Sequence, residues 1–231
     1  MSKLLIQNKA LLITILVIFL VVFLVTCAPQ GDGEKTAKIA PPWQITVDAE
    51  GRSQVFGLTI GAATLADARA QLGEEYEQAI IATMKGSAGM EIYYSRFRAG
   101  GITGKLIVVA DVSQQQLTAL MAGAAKAKQL DNGSRKYTIS NADQAAVDAL
   151  RIASLVFVPT SSLDEDIVRH RFGEPAKIIA LNEQQQHFLY PLLGLDILID
   201  QKGKEMLQYV APDNFAQILA ALTSAPQPVT D

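Results

Sequence analysis

Nineteen consecutive uncharged residues, Ala10 to Ala28 in "ALLITILVIFLVVFLVTCA", constrain this chain more than any other feature. As a helix the run would reach about 28 Å, close to the ~30 Å hydrocarbon core of a bilayer. Its β-branched and aromatic residues surround the axis on every side with no polar stripe, so it reads as a membrane segment and not as a buried core helix. Lys3 and Lys9 precede the run, whereas Asp32, Glu34, Lys35 and Lys38 follow it. The positive-inside bias then keeps the start in the cytoplasm and places the body on the periplasmic or extracytoplasmic side.

Two modes of membrane attachment stay open. One is an uncleaved signal anchor, favoured by the length of the run. The other is lipidation, because "LVTC", Leu24 to Cys27, resembles a bacterial lipobox with the single cysteine of the chain at the acceptor position. Thr26 stands where lipoboxes carry Gly, Ala or Ser, and the run exceeds a usual cleaved h-region. With one cysteine the body has no intramolecular disulfide and must be stabilised by its core.

The chain has 231 residues, 49% of them hydrophobic, enough to bury a sizeable core. Past the apolar run it carries 18 bases against 23 acids. A mildly acidic body without a basic stripe argues against nucleic acid as a partner. "APQGDGEKTAKIAPP" reads as a flexible spacer, and the tail from Ser224 has similar composition. The organisation expected is a membrane anchor or lipoprotein signal over 1–28, a linker over 29–42, α+β units over 43–139 and 140–223, and a tail over 224–231.

Within the body the hydrophobic period alternates between two and nearly four, the pattern of an α+β fold and not of a βαβ sheet. "WQITV" and "SQVFGLTI" flank a turn at "DAEGR" and read as a hairpin. "TLADARAQL" opens on a capping box, Thr64 with Asp67, and puts Leu65, Ala68 and Leu72 on one face. "EQAIIATM", "MEIYYSRF" and "KLIVVADV" then read as a meander. Helices are expected over "SQQQLTALMAGAAKAKQ" and, capped by Asn141, "NADQAAVDALRIASL", with a turn and short strand at "NGSRKYTIS" between them. A strand "SLVFVP" leads to "SSLDEDIVRHRF", where Ser162 and Glu165 have capping-box spacing and Leu163, Ile167, Val168 and Phe172 supply the buried face. Four strands follow, "AKIIAL", "HFLYPLL", "LDILID" and "MLQYVA", and then a helix, "NFAQILAALT", capped by Asp213.

Aligning Gly73 with Gly173 also aligns Leu72 with Phe172, Arg69 with Arg169 and Glu74 with Glu174. Each glycine follows a capped helix and precedes a meander, as expected of tandem helix-plus-meander units. Gly173 suits the left-handed position that ends a helix, and Pro175 stops its continuation. This arrangement over about 58–110 and 158–210 resembles small envelope lipoproteins of the SmpA/OmlA kind and the tandem-repeat β-lactamase inhibitor proteins. Glu75 stands where that pattern prefers proline. The resemblance implies a non-catalytic, protein-binding role at the envelope.

Residues of catalytic type form no recognisable constellation. "AGGITGKL" lacks the Ser or Thr of a phosphate loop at Leu106 and runs into a strand where a helix should begin. "KGSAG" around Ser87 misses the nucleophile-elbow spacing. His170, between Arg169 and Arg171, reads as a solvated helix residue; His187 reads as a partly exposed strand-end residue near Asp196 or Asp200. Asp164, Glu165 and Asp166 complement a helix dipole. No metal site and no cofactor is expected. The aromatic patches of "IYYSRF" and "FLYP" offer Tyr93, Tyr94 and Tyr190 as a possible binding surface, and Cys27 is the candidate for lipid attachment. The expected role is therefore binding of another envelope protein or component by a membrane-tethered, non-enzymatic body. The alternative is an envelope hydrolase whose site the sequence does not display.

Overall fold

The computed structural model describes residues 39–84 and 86–224. The apolar run, Cys27 and most of the spacer lie outside the described residues. Within them no helix is long and apolar enough to cross a membrane.

The body opens with a small sheet of three strands, β1 (Thr46–Val47), β2 (Ser53–Val55) and β3 (Leu58–Thr59). The hairpin expected around "DAEGR" is present, with the Asp48 carboxylate accepting the backbone N–H groups of Glu50 and Arg52. Phe56 and Gly57 make the next turn, with φ of 56° and 82°. Positive φ at both central residues is the two-residue turn that matches strand twist. Phe56 tolerates it because its buried ring meets Phe97, Phe157 and Tyr209 edge-on at 5.1–5.8 Å.

The main element is an antiparallel sheet of ten strands: β4 (Glu77–Ala82), β5 (Ala88–Ala99), β6 (Ile102–Ala110), β7 (Lys126–Gln129), β8 (Arg135–Thr138), β9 (Ile152–Pro159), β10 (Lys177–Ala180), β11 (Gln185–Tyr190), β12 (Leu195–Asp200) and β13 (Met206–Val210). Their order is β10-β11-β12-β13-β9-β6-β5-β4-β8-β7. The consecutive strands β4-β5-β6 and β10-β11-β12-β13 thus form two antiparallel meanders with β9 between them, paired with β6 on one side and with β13 on the other, where Leu207 faces Phe157 and Tyr209 faces Leu155. The β7–β8 hairpin extends the sheet beyond β4.

Among the described residues five helices accompany the strands: α1 (Leu65–Leu72), α2 (Gln114–Ala122), α3 (Gln144–Asp148), α4 (Glu165–Phe172) and α5 (Phe215–Ser224). Strand alternation separates two sheet faces. One face carries Ile80, Ile92, Leu106, Phe157, Phe188, Ile197 and Tyr209 into the largest core cluster, which also takes in Leu65 and Ala68 of α1, Leu117 of α2, Val147 of α3, Val168 of α4 and Phe56. The opposite face meets α5, whose Phe215, Ile218 and Leu222 pack on Ile179, Leu189 and Val210.

The α+β class and the antiparallel strands agree with the sequence pattern; several boundaries differ for identifiable reasons. The helix begun by Ser113 stops at Gly123, and "KAKQ" forms β7 because pairing with β8 outweighs the helix preference of Ala and Lys. The helix expected from Asn141 is only five residues long and begins after Asp143, whose side chain makes no capping bond and instead accepts from Ser140; Ile152 already belongs to β9, buried in the first-face core. The α4 cap is Asp164, whose carboxylate accepts Ile167 N–H at 2.8 Å, so the Ser162/Glu165 box does not form. Ile167 is 39% exposed and leaves the buried face to Leu163, Val168 and Phe172. By contrast Thr64 and Asp67 form the complete capping box. Asp213 sits within a 3-10 turn (Pro212–Asn214) ahead of α5.

Candidate functional site

The two glycine turns end α1 and α4 in the same way. Gly73 and Gly173 donate their backbone N–H to the Arg69 and Arg169 carbonyls, with φ/ψ of 100°/176° and 82°/−170°. Positive φ is as expected; the extended ψ corrects the simple left-handed cap and places both in a region essentially reserved for glycine. No neighbour stands within 4 Å of a Cβ built on Gly173, so the requirement there is backbone conformation and not space. The Tyr190 hydroxyl donates to the Gly173 carbonyl at 2.9 Å.

The arginines one turn earlier differ in surroundings. Arg69 donates to Gln78 at 2.8 Å and pairs with Asp148 at 2.5 Å; Gln78 continues to Gln144 at 3.1 Å and Gln144 returns to Asp148 at 2.5 Å. Four side chains thereby tie α1 to β4 and α3. Burial opposes ionisation of Asp148, but hydrogen bonds from Arg69 and Gln144 hold its carboxyl below the ordinary value. Arg169 instead binds Glu165 and Glu174 on the solvent side, with its guanidinium 5.5 Å from the Phe188 ring centre. Spacing did not disclose the Arg69 network, because Asp148 belongs to a distant segment brought in by the fold.

On the sheet face that carries α5, buried polar groups gather. His187 on β11 and Asp196 on β12 are only 5% and 3% exposed, and His187 Nδ1 lies 2.8 and 2.9 Å from the two carboxylate oxygens. A carboxylate only accepts, so Nδ1 carries the hydrogen. The partly exposed strand-end position expected for His187 is therefore corrected: a cross-strand partner allows it to be buried. Its hydrogen bonds among the described residues go to Asp196, and no hydroxyl or thiol completes a triad there. Next to Asp196 in register, Gln208 is buried, as is Glu91 on β5, and among the described residues Gln208 Nε2 and Glu91 Oε1 have no hydrogen-bond partner. Burial pushes the Glu91 carboxyl up to about 8, so it is mostly protonated at neutral pH. Among the described residues no group of His, Cys, Asp and Glu is arranged to hold a metal ion.

The expected aromatic surface is largely internal. Tyr94 and Tyr190 are 2% and 5% exposed and face the first-face core, Tyr190 against Phe172. Tyr93 points to the other face and is half-buried beside Ile107 and Val109. Burial raises both the Tyr93 and the Tyr190 hydroxyl to about 12. Ser87 is buried and bonded to Thr83 in the β4–β5 turn, and Gly100 and Gly101 turn the β5–β6 hairpin, so neither segment forms a loop ahead of a helix. His170 is exposed on α4. Cys27 lies outside the described residues.

The two outer strands of the meanders share a detail. "IIA" occurs in β4 as Ile80-Ile81-Ala82 and in β10 as Ile178-Ile179-Ala180, each first isoleucine turned to the core face opposite Met90 or Phe188. β8 pairs with the outer side of β4, setting Tyr137 opposite Ile80, while β10 is the last strand of the sheet among the described residues. Ile80 is fully buried and Ile178 is 38% exposed. No protein-family model, curated protein or solved structure matches the chain.

Proposed function

We propose that this protein is a membrane-tethered, non-enzymatic component of a bacterial-type cell envelope that binds another envelope protein or component. The body consists of two related helix-plus-meander units, 43–139 and 140–223, joined through the β6–β9 pair and carried by the anchor over 1–28. The observation that carries this reading is the repetition: a capped helix, a glycine at positive φ with extended ψ, and a meander whose outer strand contains "IIA", all occurring twice. Repetition of a scaffold without repetition of a set of reactive groups supports a role in presenting surfaces. His187 and Asp196 favour the alternative, an envelope hydrolase, since an Asp-oriented imidazole is one half of a nucleophile-activating pair.

Photocrosslinking in the native envelope tests the reading. A photoreactive side chain at the exposed positions Leu192, Met84 and Ile178 should trap a discrete partner from at least one of them. Absence of adducts at all three, together with loss of the cellular phenotype in a fully folded His187→Gln variant, which keeps an N–H for Asp196 but has no base, would replace binding by hydrolysis. Mass analysis of the mature N-terminus separates the two attachment modes: a diacylglyceryl group on Cys27 excludes the uncleaved anchor.

A further inference from the structure

We propose that the free edge of β10 is a strand-addition site that accepts an extended segment of the partner, antiparallel to β10, with an aromatic residue opposite Ile178 and an acidic residue opposite Lys177. This rests on the protein-binding reading above and specifies where that binding occurs.

The first meander supplies the template. Thr83 N–H donates to Ser87 across the β4–β5 ladder, so odd-numbered residues of β4 bond inward. Ile80 and Ala82 consequently direct their backbone groups to the outer side, where β8 lies in the register Ile80–Tyr137 and Ala82–Arg135. Tyr137 covers the flank of Ile80 and packs on the core. In the second meander Leu181 N–H donates to Gln185, which turns the backbone of Lys177 and Ile179 inward and that of Ile178 and Ala180 outward. The same "IIA" therefore presents the same donors and acceptors on the same side, with no described strand beyond it.

The far edge of the sheet is protected differently. β7 is exposed throughout and carries Lys126 and Lys128, the charged residues with which natural edges discourage pairing. β10 has exposed Ile178 at its centre, with Ile167 of the preceding α4 also exposed, and Lys177 as its single charge. The β4–β8 register carried over to β10 places the counterpart of Thr138 opposite Lys177 on the face away from α4. Charge complementarity calls for a carboxylate there. Backbone pairing supplies affinity in this mode of recognition, and the side chains opposite Ile178 and Lys177 supply selectivity.

The test uses the full chain in detergent micelles and two peptides: one copying Ser134–Ser140 with glutamate at the position of Thr138, and one with lysine there. Site-resolved amide hydrogen exchange should show slowing at Ile178 and Ala180 on adding the glutamate peptide, with about tenfold weaker binding of the lysine peptide, and Lys177→Glu should invert that preference. Ile178→Pro removes an outward N–H, which an edge strand tolerates; it should abolish the slowing with the thermal transition kept. If that variant loses its fold, the Lys177→Glu inversion decides by itself. The proposal fails if the glutamate peptide slows no exchange at Ile178 and Ala180. It also fails if those amides are already protected in the chain alone: protection independent of concentration would mean a segment of this chain, and protection rising with concentration a second copy. Crosslinks to a partner from Leu192 or Met84 but never from Ile178 would sink the edge proposal and leave the binding reading standing.

Discussion

β4 and β10 carry the same three residues in the same orientation, yet one is interior and the other terminal. The difference lies in what the chain places after each meander's third strand. After β6 it makes an excursion through α2, β7, β8 and α3 before returning as β9, and that excursion both pairs with β4 and delivers Asp148 to Arg69. After β12 it passes directly to β13 through a short turn. The outcome is a buried Ile80 and a networked Arg69 in one half, and an exposed Ile178 and a solvated Arg169 in the other. An identical local sequence thus has its energetic role set by chain that is remote from it.

Glutamate 91 offers the sharpest way to break this comparison. It pairs with Ala79 on β4, and the matching place on β11, opposite Lys177, is Leu189, buried under α5. Burial keeps the folded Glu91 carboxyl protonated up to about pH 8, whereas an ordinary glutamate loses its proton near 4.5. Between those values the folded state holds more protons than the unfolded state, so stability falls as pH rises through this window and levels off above it. Glu91→Leu should abolish that loss, stabilising the protein by up to ~5 kcal/mol above pH 8. Urea unfolding from pH 5 to 9 measures it, and parallel pH curves for the two proteins would show that Glu91 is not the buried acid.

The isoleucines should separate next. Ile80→Ala deletes fully buried methyl groups and should cost roughly 3 kcal/mol, whereas Ile178→Ala should cost under about 1 kcal/mol, both read as midpoint shifts in urea. Equal costs would mean that β10 is covered after all. The glycines are the control in which the halves should agree: Gly73→Ala and Gly173→Ala should each cost about 1–2 kcal/mol by imposing a Cβ on a glycine conformation. Loss of binding by a fully folded Gly173→Ala variant would make that turn a site. Smallest is the arginine pair. Arg69→Ala should cost about 1 kcal/mol after allowance for partial solvent exposure of Asp148, and it should raise the Asp148 carboxyl. Arg169→Ala should leave the unfolding midpoint unchanged.

The elements legible in sequence were those with local causes. The capping box of Thr64 and Asp67, the glycines after α1 and α4, and the alternating strands of both meanders depend on near neighbours, and all of them form. The misreadings fall where a remote contact outweighs a local preference. "KAKQ" has helical composition but pairs with β8; Tyr94 and Tyr190 look like surface aromatics but fill the core; His187 is buried because Asp196 stands on the next strand.

By itself the sequence determined the alternation of helix and strand, the two similar turns and a 19-residue uncharged run suited to a bilayer. These follow from periodicity and backbone conformation, which act over a few residues. Only the tertiary structure decided that β9 links the two meanders by pairing with both β6 and β13, that β8 covers β4 while β10 is the last of the described strands, and that Glu91, Gln208 and the His187–Asp196 pair share one buried face. Strand order and burial are properties of the whole packed chain, because an edge is an edge only when every other strand has found its place.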